Sequence, residues 1–428
     1  MAKSAPAPRF SAKEWAAIRQ TLKADPAAFG LPVRQYGSVV FASFNIRKLG
    51  KVKTGSTGER DEETFRFLAD VCRHFDLLAI QEVMSDTESL LKLEQLMGPD
   101  YGIVHSDTTG AFPGRPGNAE RLAYLYNRNL VRRSPLVTDV TYDRTEVVKR
   151  IADHNDAIHA ELGKRLAPER AAYKLALDAY LEQGGRRPRE PRMSGLEIPG
   201  FLTFVRTPFA AGFQVHGHPG STPYEFLAVN AHLHYGDSDN DRIFEAQALL
   251  EWILAKVKAG ADQNLNVVLF GDLNLVFKNP ERDRRRVAEN VKAAARRVGL
   301  KKLKLVLPFM FPHPAPRQLV EPGTVFRTNV KLNQTFDQLG AFYNDDRLAP
   351  VATKEAGHVH PEVWGSPGGP DYGVFNFTEL FSQALKKKRY HELAKADART
   401  LVRRYDFRVS DHMPIWIRLP LPEASSLI

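Results

Sequence analysis

The chain reads as an α/β (α+β) protein built on substantial β-sheet, and three observations predict this. Short runs rich in Val, Ile, Phe and Tyr alternate with stretches of helical spacing, as in "SVVFASFNI" at 38–46 and "NVVLFGDLN" at 266–274. Several of these runs are apolar at consecutive positions, the pattern of strands covered on both faces. No internal repeat or low-complexity linker divides the 428 residues into independent halves.

The elements follow in order. Residues 1–37 form an N-terminal helical extension, in which Ser11 and Glu14 have the spacing of a capping box. The core then runs over 38–420. "SVVFASFNI" is followed by a helix near 61–74, "LLAIQEV", a helix near 86–97, "YGIVHS" and "RLAYLYN". A helical insertion interrupts the core at about 143–195. Val147, Ile151, Ile158, Leu162 and Leu166 keep helical spacing up to Pro168, Tyr173, Leu177, Tyr180 and Leu181 resume it, and Gly184-Gly185 ends it. This hairpin is read as a packed decoration without a catalytic role. "FLTFVR", "EFLAVNAHLHY", a helix near 241–258, "NVVLFGDLN", "TFDQLGAFY" and "HMPIWIRL" complete the core. A second insertion of loop and helix spans about 345–404, with a long Pro- and Gly-rich loop expected over 351–373, and 421–428 is a tail.

Composition excludes several classes. With 43% hydrophobic and 26% charged residues, the chain is globular rather than disordered. Its one cysteine, Cys72, rules out an internal disulfide and a zinc–thiolate site. No stretch approaches the ~20 apolar residues of a membrane span. The N-terminus has no apolar signal core, so a cytoplasmic address is expected. The net charge is +10, which suits anionic partners. Part of it is concentrated at 278–304, where eleven Lys/Arg face three acids. Lys278, Arg284, Arg285 and Arg286 of that run begin directly after "GDLN" and are candidate nucleic-acid contacts. The run at 386–404 is better read as a solvated helix face.

The informative anomaly is a polar or ionisable residue at the end of one apolar run after another. Asn45 ends "VVFASFN", Glu82 ends "DLLAIQE", and Glu120-Arg121 precede "LAYLY". His232 lies in "FLAVNAHLHY", Asp272 and Asn274 close "VVLFGDLN", Asp337 follows "NQTF", and Asp411-His412 opens "MPIWI". Singly each has a plain explanation as a cap or turn residue. Together they predict an acidic pocket at one edge of the sheets. Gathered carboxylates need neutralising, and a hard cation such as Mg²⁺ does so while leaving room for phosphate oxygens.

"FASFNI", "AIQEV", "RLAYLYN", "VNAHLHYG", "LFGDLN", "FDQLGAF" and "SDHMPIWI" occur in the order that resembles the endonuclease/exonuclease/phosphatase superfamily, the group of deoxyribonuclease I. The resemblance spans about 38–420 apart from the insertions. It implies two mixed β-sheets packed face to face in a four-layer α/β/β/α sandwich. It also implies Mg²⁺ or Mn²⁺ held by Asn45 and Glu82, with Asp411 on the metal side. Asp272 would orient or deprotonate the attacking water, and Asn274 and His412 would donate to phosphoryl oxygens. Asp337 would hold the His412 imidazole, and Arg206 of "FVRTPF" would lie beside the phosphate. His232 and Glu120 resemble a second acid/base pair, although His234 shares the face of His232. Met84 departs from the arginine of deoxyribonuclease I, which bears on how DNA would be contacted.

The function expected is therefore divalent-metal-dependent phosphodiester hydrolysis, as an endonuclease on DNA or RNA by in-line attack of an activated water. The alternative is a phosphatase or phospholipase-C-like enzyme of small or lipid phosphoesters. A catalytically inactive nucleic-acid-binding protein ranks third, because a binder has no need of the whole set.

Overall fold

Two six-stranded mixed sheets pack face to face with helices on both outer surfaces. The computed structural model describes residues 9–50, 60–110, 119–142, 144–191, 204–233, 239–259, 266–275, 280–297, 299, 304–310, 326–343, 351–355, 358–362 and 372–422.

The first half of the chain supplies β1 (Ser38–Leu49), β2 (Leu77–Met84), β3 (Tyr101–His105), β4 (Glu120–Asn127), β5 (Val131–Asp139) and β6 (Phe209–Val215). The second supplies β7 (Tyr224–His232), β8 (Asn266–Asp272), β9 (Lys304–Val306) and β10 (Asp337–Tyr343). It continues with β11 (Val351–Glu355), β12 (His358–Glu362), β13 (Tyr372–Val374) and β14 (Ile415–Pro420). One sheet has the order β13-β14-β1-β2-β4-β3 and the other β5-β6-β7-β8-β10-β9. Only β1 with β2, and β7 with β8, pair in parallel among the described strands.

The helices before the insertion are α1 (Ala12–Ala24), α2 (Glu62–Cys72) and α3 (Glu88–Met97). The insertion holds α4 (Arg144–Asp153), α5 (Asn155–Glu161) and α6 (Ala167–Gln183). After it come α7 (Asp239–Ala259), α8 (Pro280–Arg297), α9 (Phe377–Lys386) and α10 (Lys395–Tyr405). None of the described helices is long and apolar enough to cross a membrane.

The continuous apolar runs are explained by this layering. In β8, Val268 and Phe270 face the other sheet, whereas Val267 and Leu269 join Leu249, Ile253, Val291 and Ala294 of α7 and α8. Between the sheets, Phe41 meets Phe226 with ring centroids 5.1 Å apart. Each such buried Leu, Ile or Phe contributes roughly 1.5–3 kcal/mol.

Ser11 caps α1 in the expected box with Glu14. The helix is not a loose appendage, because Trp15 is 1% exposed among Phe10, Phe67 and Phe381. α9 and α10 share that layer through Phe377, Phe381, Leu401 and Tyr405. Within the region expected to be inserted at 345–404, the described α9 and one face of α10 thus join the core. The long loop expected over 351–373 instead contains the antiparallel ribbon of β11 and β12. Its Pro and Gly residues are concentrated in the later part of the stretch, so they did not preclude pairing at its start.

The 143–195 segment does form helices, and Gly184, at φ +72°, terminates α6. Its apolar stripe is packed only in part: Leu166 is buried and Val147, Ile158, Leu162, Tyr173, Leu177 and Tyr180 are half-buried, whereas Ile151 and Leu181 are exposed. Helical spacing records which residues share a face, and it does not say that another element covers that face.

Candidate active site

Strand register brings the polar strand ends to one edge of the sandwich. His232 on β7 lies beside Asp272 on β8, and Asp272 lies opposite Asp337 on β10. Asn45 ends the regular pairing of β1 with β2 opposite Gln81. The two sheets therefore present their polar termini to a common cleft of about 570 Å³. Glu82, Glu120, Arg206, His232, Asp272, Asn274, Asp411 and His412 line it, with Asn45 and Asp337 fully buried directly behind.

Asp272 is the hub. Its Oδ2 accepts from Asn45 Nδ2 at 3.0 Å and lies 3.6 Å from His232 Nε2 and 3.5 Å from His412 Nε2. Each imidazole has its own acid behind it: His232 Nδ1 is 2.8 Å from Glu120 and His412 Nδ1 is 2.8 Å from Asp337. Burial pushes the Asp272 carboxyl up, but the two histidines and Asn45 outweigh it and hold it below the usual range. Burial likewise disfavours the charged His412 ring, yet Asp337 and Asp272 raise its pKa well above the ordinary histidine value. Burial also opposes ionisation of Glu120, and His232 with Arg206 reverses this to lower its pKa.

The chain is not extended past Asp272. Gly271 has φ +152° and Asn274 has φ +50°, so the Asn274 N–H folds back onto Asp272 Oδ1 at 3.0 Å. One amide hydrogen of Asn274 goes to the Leu233 carbonyl at 3.0 Å, and the side chain still lines the cleft. Gly271 is required where it stands, because an added Cβ would fall 2.0 Å from the Ala231 carbonyl oxygen.

Glu82 is aimed by an irregularity. Pairing registers shift on both sides of β2, between Asn45/Leu49 and between Ile80/Val83. Gln81 faces the second sheet, where it bonds Asn230 at 2.7 Å, so in a regular strand Glu82 would face the outer helices. The bulge and a left-handed φ of +59° turn it into the cleft instead. There its carboxylate accepts from Asn45 Nδ2 at 3.2 Å and from the Lys48 N–H at 3.1 Å.

The donor set fits a hard cation. Asn45 Nδ2 is shared between two carboxylates, which fixes the amide orientation and leaves Oδ1 buried with no donor. Asp411 Oδ1 is also buried without a partner, while its Oδ2 meets Arg47 at 3.1 Å. Unpartnered oxygens beside Glu82 are what an oxygen-preferring cation satisfies. Asp272, Asp337 and His412 form a second close group, with potential ligand atoms within 4.8 Å of one another. A protonated imidazole offers no lone pair, so that group suits a hydrogen-bonded relay better than an ion.

The remaining expected residues lie at the cleft wall, on α8 or outside the described residues. Arg206 reaches the cleft wall, but its guanidinium is engaged by Glu120 at 3.3 Å and by the Leu233 carbonyl at 2.8 Å. Lys278 and His234 lie outside the described residues. Arg284, Arg285 and Arg286 are on α8; the Arg285 side chain is exposed. Four groups were missed from sequence: Asn230, Gln81, Ser410 and Arg47. Asn230 ties the sheets below the site through Gln81 and the carbonyls of Ile80 and Ala123. Its position two residues before His232, on the same strand face, was the available signal. Ser410 Oγ donates to the Asn45 carbonyl and accepts from the Arg47 and His412 N–H groups. A larger cleft of about 800 Å³ lies between α1 and α2, but its arginines are already paired with Asp70, Glu63 and Asp76.

A four-layer sandwich with this acidic and imidazole-lined mouth defines a protein of the phosphoesterase fold class. The chain belongs to the Endonuclease/Exonuclease/phosphatase family, whose model matches residues 42–291. It is 25% identical over 252 residues to a protein named Deoxyribonuclease from Thioalkalivibrio sp. (strain K90mix). That alignment covers 57% of this chain and 48% of the relative, so the chain spans about half the relative's length. Among solved structures, it is similar to a Bacteroides thetaiotaomicron mannosyl-6-phosphatase, with 13% identity, TM-score 0.42 and 89% and 99% of the two chains covered. It is also similar to D. rerio TDP2 complexed with a single-strand DNA product, with 11% identity, TM-score 0.41 and 89% and 98% covered.

Proposed function

We propose that the chain is a divalent-cation-dependent phosphodiester hydrolase acting on nucleic acid, as a DNA endonuclease in the first instance. The observation that carries this reading is Asp272 seated between two acid–imidazole pairs, with the oxygens of Asn45, Glu82 and Asp411 beside it.

Asp272, kept anionic, accepts a hydrogen from the attacking water and orients it. His412, kept cationic by Asp337 and Asp272, donates from Nε2 to a phosphoryl oxygen and stabilises the charge that develops there. Asn274 offers its remaining amide hydrogen to the same group. Glu120 orients His232 through Nδ1, leaving Nε2 toward the cleft for proton transfer to the leaving oxygen. Arg206 fixes Glu120 and borders the phosphate position. Mg²⁺ or Mn²⁺, held by Asn45, Glu82 and Asp411, would supply charge neutralisation at the phosphate.

Nucleic acid is favoured over a small phosphoester by the +10 charge, by exposed Lys48 and Lys331 on the cleft wall, and by the name of the Thioalkalivibrio relative. Exposed Arg285 on α8, with Lys278, Arg284 and Arg286 in the same sequence run, adds to the positive charge of the chain. Binding to polyanionic substrate should then weaken steeply with salt.

Nicking of supercoiled plasmid with Mg²⁺ or Mn²⁺ tests the proposal, with EDTA and His412→Ala as controls. Metal-dependent nicking that both controls abolish supports it. Absence of nicking by folded protein rejects DNA as substrate and directs the assay to RNA and then to small phosphoesters.

A further inference from the structure

Arg60 belongs to none of the motifs, yet it is 4% exposed at the entrance to α2. Its guanidinium donates to the carbonyl of Arg47, to that of Lys48 at 3.3 Å and to that of Val409 at 3.3 Å. Arg47 and Lys48 lie just beyond Asn45 near the end of β1. Val409 leads into the turn that carries Ser410, Asp411 and His412. One planar fork thus joins two segments that are remote in sequence.

Both carboxylates on the cation side depend on the backbone that Arg60 holds. Lys48 has a left-handed φ of +48°, and its N–H donates to Glu82 Oε2 at 3.1 Å while its carbonyl is held by Arg60. Arg47 meets Asp411 at 3.1 Å and lies over the Phe407 ring, 3.7 Å from its centroid. Its N–H is bound to Ser410 Oγ, and its carbonyl is held by Arg60. Glu82 itself is in a strained conformation that persists only where its surroundings over-determine it. Burial pushes the guanidinium down to about 10, opposed by Glu82 and Asp411, so it stays cationic at neutral pH. Keeping a buried charge is costly, and a neutral amide has only two hydrogens to offer three carbonyls.

We propose that Arg60 is a positioning residue that sets how tightly the Asn45, Glu82 and Asp411 oxygens hold a divalent cation. This rests on the reading of those residues as the cation side. Arg60 does not line the cleft and acts through the Arg47, Lys48 and Val409 peptides.

The test is isothermal titration of the full chain with Mn²⁺, comparing wild type, Arg60→Met, Arg60→Lys and Glu82→Ala, with thermal unfolding as the folding control. Arg60→Met should bind Mn²⁺ at least about tenfold more weakly, the range for outer-shell partners of metal ligands. Arg60→Lys should fall between the two, since lysine keeps the charge without the fork. In the hydrolysis assay, raising Mn²⁺ should restore most of the Arg60→Met rate, which general structural damage would not allow. Folded Arg60→Met with wild-type Mn²⁺ affinity overturns the proposal; if that variant does not fold, unchanged affinity in Arg60→Lys does so. Wild-type affinity in Glu82→Ala overturns the cation-side reading itself, independently of either Arg60 variant.

Discussion

Asn45 and Asp272 lie 227 positions apart and on different sheets, yet a 3.0 Å hydrogen bond from Nδ2 to Oδ2 joins them. The same amide nitrogen reaches Glu82 at 3.2 Å, so one side chain spaces two carboxylates and leaves its oxygen free for a cation. Asn45→Ala removes two charge-assisted bonds, each of roughly 1.5–3 kcal/mol. Catalytic rate should fall at least about tenfold. An unchanged kcat at saturating metal would count against this role.

His412 offers a pH signature. Its folded pKa is raised well above the ordinary value because Asp337 and Asp272 outweigh burial. The sign follows from linkage: this stabilisation is fully present below the unfolded pKa of about 6.5 and is lost as pH rises through the folded one. The Tm gap between wild type and His412→Gln should therefore shrink on the alkaline side. An NMR titration placing the ring at or below its ordinary value would sink the assignment.

Glu120 is 5% exposed, with Arg206 and His232 as its partners. Truncating one member of such a buried charged group typically costs about 3–5 kcal/mol. Glu120→Ala should lower stability in denaturant by that order. Because its pKa is held below the carboxylate norm, the Glu120 contribution should be present above about pH 4.5 and disappear as pH falls through its folded pKa. A Glu120→Ala chain as stable as wild type at neutral pH would contradict this.

Gly271→Ala combines a φ of +152° with a Cβ 2.0 Å from a backbone oxygen of the neighbouring strand. Relief requires β7 and β8 to separate where they align His232 with Asp272. A loss of about 3 kcal/mol or more is expected, with activity lost even in the folded fraction. Urea unfolding measures the first effect and kcat of the refolded protein the second.

Trp15→Ala should cost about 3–5 kcal/mol, as for other fully buried large side chains. Trp15 closes the layer formed by Phe10, Phe67 and Phe381, so α1 is part of the folding unit. Independent unfolding of α1, seen as early amide exchange with an unchanged core, would contradict this.

The strands around Asn45, Glu82, His232, Asp272 and Asp337, and the polar residue at the end of each, were legible in the sequence. Apolar runs and residue types are local properties, and the order of the motifs follows directly from them. The capping box of Ser11 and Glu14 was readable for the same reason. What tertiary structure alone decided is where these local pieces meet. The bulge that turns Glu82 into the cleft, the Asn45–Asp272 bond across the sheets and the grip of Arg60 on both Lys48 and Val409 all depend on bringing separate segments of the chain together. Likewise, the helical stripe at 143–195 could be read as a face, but whether another element buries it is settled by packing. Periodicity specifies directions along one segment, whereas register and coverage come from long-range contacts that no single segment encodes.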